Sequence, residues 1–379
     1  MSAHQVSFPT VYMRGGTSRA LFFKVSDLPA ERAAWDAIFC AALGTPDPHG
    51  RQLDGMGGGI SSLSKIAIIG PSTRADADID YTFAQVPIGS TVVQYKGNCG
   101  NISSAVGPFA VDEGLVPVEG DAATVRIHNT NTGKVIVSKF PLAGGRAAVD
   151  GDFVLTGVAG AGAPVRLSFL EPGGAVTGKL LPTGMRKEML ELEGFPSVEV
   201  SVVDAANPVV MLRADAIGLH GGEKPSELDA NQRVLEHCEA IRRAAAVRIG
   251  IARDLADARE RVRSLPQVAL LSPPAVQGCH LRVRVMSTGQ PHRATPLTGG
   301  MCVATALQLQ GTVADAVGLR PQGEDVAIEH PSGTLHVAAK LEQREGEPFV
   351  AETAVYRTAR RLMEGSVFVP VSKILEAKP

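Results

Sequence analysis

This chain is short of aromatic residues, of paired cysteines and of surplus charge of either sign. Only 4% of its 379 residues are aromatic, and Trp occurs once. An aromatic stacking platform for single-stranded nucleic acid is therefore a poor expectation. Lys and Arg number 37 against 39 Asp and Glu, a formal net charge of -2. No basic surplus asks for nucleic acid as a partner. The apolar runs are brief, and none is long enough to span a bilayer. Five cysteines, at positions 40, 99, 238, 279 and 302, lie scattered without a Cys-x-x-Cys pair. That argues against a disulfide framework or a structural zinc site. The stretch Met1-Ser2-Ala3-His4-Gln5 lacks the pattern of a signal peptide, so a reducing cytoplasm is the expected setting. What the chain does have is glycine, 41 residues of it, and a length that suits two ordinary domains.

The glycine pattern that draws attention is Gly97-Asn98-Cys99-Gly100-Asn101. A β-like run, Thr91-Val92-Val93-Gln94-Tyr95, precedes it, and a small-residue apolar segment, Ile102–Ala110, follows. A turn on glycine into a helix leaves unpaired N–H groups at the first helical turn, where anions are favoured. A thiolate at Cys99 would be stabilised by the helix dipole, making it a candidate acid, base or nucleophile. From the residues alone, Cys99 as a small buried hydrophobe is an equal reading.

A second candidate follows a glycine-dense loop, Asp54–Gly59. In Ser61-Ser62-Leu63-Ser64-Lys65-Ile66-Ala67-Ile68-Ile69, read as a strand, Lys65 shares a face with Leu63, Ala67 and Ile69. A lysine among apolar neighbours loses hydration and its pKa falls, which suits a general base. An edge lysine snorkelling to water is the alternative. Earlier, Val6–Met13 and Ala20–Val25 read as a strand pair joined at Arg14-Gly15-Gly16-Thr17-Ser18. A helix is expected over Ala30–Leu43, with Trp35, Ile38 and Phe39 on one face.

The second half of the chain repeats the first in order and element type. Ala20–Leu28 finds a counterpart in Pro208–Ile217, followed by a helix over Leu235–Val247 with Cys238, Ile241 and Ala245 inward. Lys65–Ile69 corresponds to Val268–Leu271, Gly97–Val116 to Thr298–Val313, and Val125–Asn129 to Val326–His330. This duplication predicts two similar α+β domains, 1–184 and 185–379, each wrapping strands round one central helix. The boundary falls at the Pro and Gly of Leu181-Pro182-Thr183-Gly184. Two glycine-led helix starts would then face one another across a cleft, the usual place for a small ligand.

Such opposed helix N-termini suit a ligand with several carboxylates, and Arg14, Arg282 and Arg284 are candidates for bidentate pairing. For Arg284 a surface charge on an edge strand is an equal reading. No dinucleotide fingerprint, P-loop or zinc-protease helix occurs, and proton movement alone needs no cofactor. A thiol and a lysine base are enough for chemistry at an activated C–H.

Seven stretches complete the picture: Met13–Ser18, Asp54–Gly58, Ser64–Ile69, Asp80–Val86, Gly97–Asn101, His330–Gly333 and Arg357–Gly365. In that order they resemble the PrpF family, of the diaminopimelate epimerase-like fold. The resemblance implies a cofactor-independent isomerase of small unsaturated di- and tricarboxylates. Its members include 2-methylaconitate cis–trans isomerase, methylitaconate Δ-isomerase and 4-oxalomesaconate tautomerase. The regions Tyr81–Val111 and His128–Lys134 are most similar to the methylitaconate branch. The resemblance also implies Lys65 as the main acid/base and Cys99 as a second one or a positioning group. Substrate contacts are then expected from Thr17, Ser18, Ser64, Asn98, Gly100 and Asn101 in the first half. In the second half they are expected from Arg284, Ser287, Thr298, Gly299, Gly300 and Met301. His292 and His330 are candidate polar groups at the cleft rim. In the fold family the last strand often returns to the first domain, and Val367-Phe368-Val369 is its candidate here.

Two-cysteine epimerases of this fold carry a second catalytic cysteine at the opposing helix start. Here that start reads Thr298-Gly299-Gly300-Met301, with Cys302 later, which disfavours an amino-acid epimerase. A carboxylate-binding accessory protein is the non-enzyme alternative. No metal ligand set is expected, and a homodimer is expected only because homodimers are common.

Overall fold

Each repeat is a run of strands whose two faces are both buried, so each reads as a nearly continuous apolar stretch. The computed structural model describes residues 4–375. In the first half the strands are β1 (Gln5–Gly15), β2 (Ser18–Lys24), β3 (Lys65–Pro71), β4 (Ile79–Gln85), β5 (Ala122–Asn129), β6 (Lys134–Ala143) and β7 (Val165–Leu170). Helix α1 (Trp35–Leu43) lies outside them and α2 (Gly100–Asp112) inside. Val11, Phe22, Ala67 and Ile69 face α2, in one cluster with Ile102, Val106 and Phe109. The alternate residues Tyr12, Leu21, Phe23, Ile66 and Ile68 face α1, against Trp35, Ile38 and Phe39. Period-two alternation therefore separates two cores rather than core from water.

The second half has the same plan. Its strands are β8 (Phe195–Ala205), β9 (Asn207–Arg213), β10 (Gln267–Ser272), β11 (Leu281–Ser287), β12 (Asp325–His330), β13 (Gly333–Arg344), β14 (Glu347–Arg357) and β15 (Ala359–Pro370). Outer helix α3 (Gln232–Arg248) packs Cys238, Ile241 and Ala245 on Val210, Val268 and Leu270, and inner helix α4 (Leu297–Gln308) is buried. Pairing sense repeats as well. β1–β2, β3–β4 and β5–β6 are antiparallel, while β2–β3 and β4–β5 are parallel. β8–β9, β10–β11 and β12–β13 are antiparallel, while β9–β10 and β11–β12 are parallel. β14 joins the halves by pairing with β13 and with β7. β15 then runs antiparallel to β1, from Gln5 opposite Pro370 to Gly15 opposite Ala359. No helix among the described residues is long and apolar enough to cross a membrane.

Helices α2 and α4 are apolar or small all round, the pattern of a helix enclosed on every side. Close approach depends on glycine. A Cβ on Gly107 would sit 2.7 Å from Ser138 Oγ and 2.8 Å from a ring carbon of Phe140. Gly107→Ala is therefore expected to destabilise the fold by about 1–3 kcal/mol through overpacking. Urea unfolding at neutral pH measures this, and an unchanged midpoint would contradict it.

Three local expectations need correction. The helix predicted from Ala30 begins at Trp35, after a short 3-10 turn over Arg32–Ala34, because Glu31 is extended. Thr91–Tyr95 is not a strand; it makes a single bridge, Gln94 to Gln85. The Asn131 side chain takes the neighbouring strand's place, donating to Phe83 O at 2.8 Å and to Tyr95 O at 2.6 Å. Leu63 belongs to a 3-10 turn over Ser61–Leu63, so it shares no strand face with Lys65.

Candidate active site

Lys65 opens β3 with its side chain on the inner face, and only 7% of the residue is exposed. Its Nζ donates to Gln85 Oε1 at 2.5 Å, and Gln85 is the residue opposite it on β4. The Gln85 amide is itself fixed, donating from Nε2 to Ser64 O at 2.9 Å and Ser61 O at 3.1 Å. Its oxygen can therefore only face the lysine. The Phe83 ring centroid is 5.2 Å from Nζ. Burial pulls the Lys65 pKa below the usual lysine value, and the neighbouring Cys99 pushes it part of the way back. A neutral amine in an apolar recess is a base ready to accept a proton.

Cys99 is the N-cap of α2, with extended backbone, and its carbonyl accepts from Ser103 N at 2.9 Å. The turn before it needs glycine: Gly97 has φ +81°, and a Cβ there would lie 2.6 Å from Asn207 Oδ1. Asn207 clamps this turn from the other half. Its Oδ1 accepts from Asn98 N at 2.9 Å, and its Nδ2 donates to Asn98 O at 2.8 Å and Thr298 Oγ1 at 2.9 Å. One amide thus ties the starts of α2 and α4 together. Lys65, Cys99, Gly100, Asn101, Gln267, Ser287, His292 and Thr298 line the resulting cleft.

Several predicted residues lie where expected. Ser18 lines the cleft, is 1% exposed, and its hydroxyl has no hydrogen-bond partner among the described residues. Thr17 accepts from Asn101 Nδ2 at 3.1 Å, and Asn98 and Ser287 also line the cleft. Gly299 leaves space that Gln267 Oε1 fills, since a Cβ would meet it at 2.3 Å. Gly300 serves the same purpose for Leu335, at 2.4 Å.

Others point elsewhere. The Ser64 hydroxyl donates to Val86 O at 2.8 Å and accepts from Gln52 Nε2 at 2.8 Å, so it holds a loop. The Met301 side chain is in the core round α4. Arg284 donates to Glu223 O at 2.7 Å and to Val283 O at 3.0 Å, on the strand face away from Val283 and Val285. Arg282 pairs with Glu329 at 2.7 Å, and Arg14 donates to Gly16 O and Thr358 O, both at 3.0 Å. Cys302 is fully buried and donates its thiol to Val203 O at 3.1 Å.

Gln85, Gln267 and Asn207 were missed. For Gln85 a signal existed, since it continues the inward stripe Tyr81–Phe83, the same pattern that singled out Lys65. His292 accepts from Ala294 N through Nδ1 at 3.2 Å, which assigns the proton to Nε2. Burial and the nearby Lys65 charge pull its pKa down to about 3, so it stays neutral and donates. The largest cavity, about 760 Å³, is elsewhere, beside α1. Its thiol, Cys40, is pushed up to about 12 by burial and by Asp36, which leaves it unreactive at neutral pH.

Residues 5–370 match the PrpF protein family. The chain is 39% identical to the 3-methylitaconate isomerase of Eubacterium barkeri over 98% of its own length and 99% of that protein. It is 35% identical to the 2-methyl-aconitate isomerase of Shewanella oneidensis, over 97% and 98% respectively. A crystal structure of methylitaconate-delta-isomerase superposes with a TM-score of 0.74 at 38% identity, covering 98% of both chains. The two-half architecture is accordingly of the diaminopimelate epimerase-like kind. From the repeated fold, the shared motifs and these likenesses along the whole length, the chain belongs to the PrpF family.

Proposed function

We propose that this protein is a cofactor-independent isomerase that moves a proton between allylic carbons of a small unsaturated di- or tricarboxylate. The observation that carries this reading is Lys65, buried, held by Gln85 and beside Cys99 at a helix N-terminus. The neutral amine takes a proton from the carbon next to the double bond, and the electron pair spreads into a dienolate. N–H groups at the starts of α2 and α4 favour that negative charge. The same ammonium, or the Cys99 thiol, returns the proton to the far carbon, so no proton is gained or lost. Rotation within the dienolate before reprotonation gives cis–trans isomerisation.

The two halves differ where an epimerase needs them alike. Gln267 opens β10 as Lys65 opens β3, and Thr298 stands at the start of α4. Neither is a base at neutral pH. This supports removal and return of the proton on one face of the substrate. It disfavours a racemase with a base on each side. The isomerase relatives, acting by name on methylitaconate and 2-methyl-aconitate, support the substrate class.

Proton NMR in D₂O with methylitaconate, 2-methylaconitate, cis-aconitate and 4-oxalomesaconate tests the reading. Deuterium is expected at the allylic carbon of one of them. With a 4-deuterated substrate in H₂O, single-turnover product is expected to retain part of the label, because one base carries it across. No exchange in any compound, at any enzyme concentration, would sink the substrate class. Complete washout of label in a single turnover would replace the one-base route by two exchanging groups.

A further inference from the structure

Beyond Lys65, the junction of the two halves holds a buried cation that the proton transfer does not use. Arg357, the last residue of β14, is only 6% exposed, yet no carboxylate lies within 4 Å among the described residues. Burial pulls its pKa down to about 10, so it remains charged at neutral pH. A buried charge without a counter-charge is costly, and structures keep one where something else supplies it.

The guanidinium is aimed by two bonds. Nε donates to Asn101 Oδ1 at 3.2 Å and Nη1 to Tyr356 O at 2.9 Å. Of the five guanidinium N–H groups this leaves both on Nη2 and one on Nη1, the edge that fits a carboxylate side-on. Asn101 is at the start of α2 and lines the cleft, so the free edge lies one side chain from the reaction centre. Gly16 makes the contact possible: a Cβ there would meet Asn101 Oδ1 at 2.3 Å and Arg357 Cδ at 3.2 Å.

His330 completes the recess. It is 7% exposed, and its Nδ1 accepts from Ser332 N at 3.2 Å. The proton therefore sits on Nε2, which has no hydrogen-bond partner among the described residues. Burial and the charges of Arg357 and Arg284 pull its pKa down to about 4, so it is a neutral donor rather than a second cation. Thr17, whose oxygen accepts from Asn101, keeps its own hydroxyl proton free for an acceptor.

We propose that Arg357 and His330, with Thr17 and Asn101, form the receptor for a second substrate carboxylate, remote from the carbon that reacts with Lys65. This rests on the isomerase reading above and adds to it a substrate requirement. One carboxylate is conjugated to the dienolate, and another is held by the Arg357 fork. The recess sets where the reacting carbon falls relative to Lys65, so a monocarboxylate of the same skeleton is a poor substrate.

The test compares wild type with Arg357→Met on the diacid that reacts in the NMR panel and on its two half-amides. Removing a fully desolvated charge partner is expected to raise KM for the diacid by about 30-fold or more. The loss should fall on KM more than on kcat. For one half-amide, the one lacking the carboxylate held by Arg357, the penalty of the substitution is expected to shrink at least about tenfold. An equal penalty for the diacid and both half-amides, or no penalty, overturns the proposal. If wild type turns over nothing in the panel, the isomerase reading fails and calorimetric titration with methylsuccinate decides this proposal alone. Binding to wild type at least 30-fold tighter than to Arg357→Met supports the receptor. Equal binding, or none to wild type, overturns it. Should Arg357→Met not fold, Arg357→Lys replaces it, keeping the charge but losing the fork. An unchanged diacid KM in that variant also overturns the proposal.

Discussion

Lys65→Met is expected to reduce kcat/KM by about 10⁴-fold, the upper end of what a single positioned acid/base group contributes. Methionine keeps the length and apolar stem of the side chain, so the packing against Phe83 and the inner strand face survives. What disappears is the lone pair that accepts the proton. The same substitution is expected to stabilise the fold. The Lys65 pKa is lowered in the folded protein, so between that lowered value and about 10.4 the unfolded chain binds more protons than the native one. Stability contributed by this group therefore rises with pH across that window and is lowest below it. Urea unfolding of wild type at pH 7 and pH 9.5 should show that rise, and Lys65→Met should flatten it while unfolding later at pH 7. Activity lost together with stability gained marks a residue kept for chemistry. Activity lost with stability lost would make Lys65 a packing residue, and activity retained would pass the base role to Cys99.

Gln85→Glu is expected to move the acid limb of the kcat/KM pH profile upward by about one to three units, the shift an adjacent opposite charge produces. Gln85 Oε1 sits 2.5 Å from the amine, so a carboxylate there stabilises the ammonium directly. The base must be unprotonated, so activity rises with pH up to the Lys65 pKa and levels off above it. At neutral pH the variant should lose about 10- to 1000-fold, one decade per unit, and recover toward wild type in alkaline buffer. Gln85→Leu removes an acceptor from the ammonium, so its limb should move the other way, to lower pH. Limbs that stay fixed in both variants would separate the kinetic pKa from Lys65. A loss in Gln85→Glu that does not recover at high pH would mean a disturbed cleft instead of a retuned base.

Both expectations rest on side chains that were unequally visible beforehand. Lys65 was legible because an ammonium inside an apolar alternating run is an anomaly within a few residues of sequence. Cys99 was legible because glycine, a small polar residue and an apolar run mark a helix start. Gln85 carries the same inward-stripe signal as Lys65, but an amide within an apolar stripe is a milder anomaly and passed unnoticed. Ser64, Met301 and Arg284 were misplaced for the opposite reason. Nearness in sequence to the motif does not fix where a side chain points. Ser64 is adjacent to Lys65, yet successive side chains diverge at the start of the strand, and its hydroxyl serves Gln52 and Val86. Arg284 alternates with Val283 and Val285, which occupy the face toward α4.

By itself the sequence determined the duplication, the α+β class, the two buried helices and the base, because each follows from local periodicity, turn chemistry and desolvation. Only the tertiary structure decided which groups meet that base. Gln85 reaches Lys65 through strand register, 20 residues away in the chain. Asn207 reaches the Cys99 turn across 109 residues, and Arg357 reaches Asn101 across 256. Such contacts leave no period in either partner's neighbourhood. They exist because two wrapped halves bring their helix starts together and leave polar side chains there no water to bind, so each takes the partner that the packing supplies.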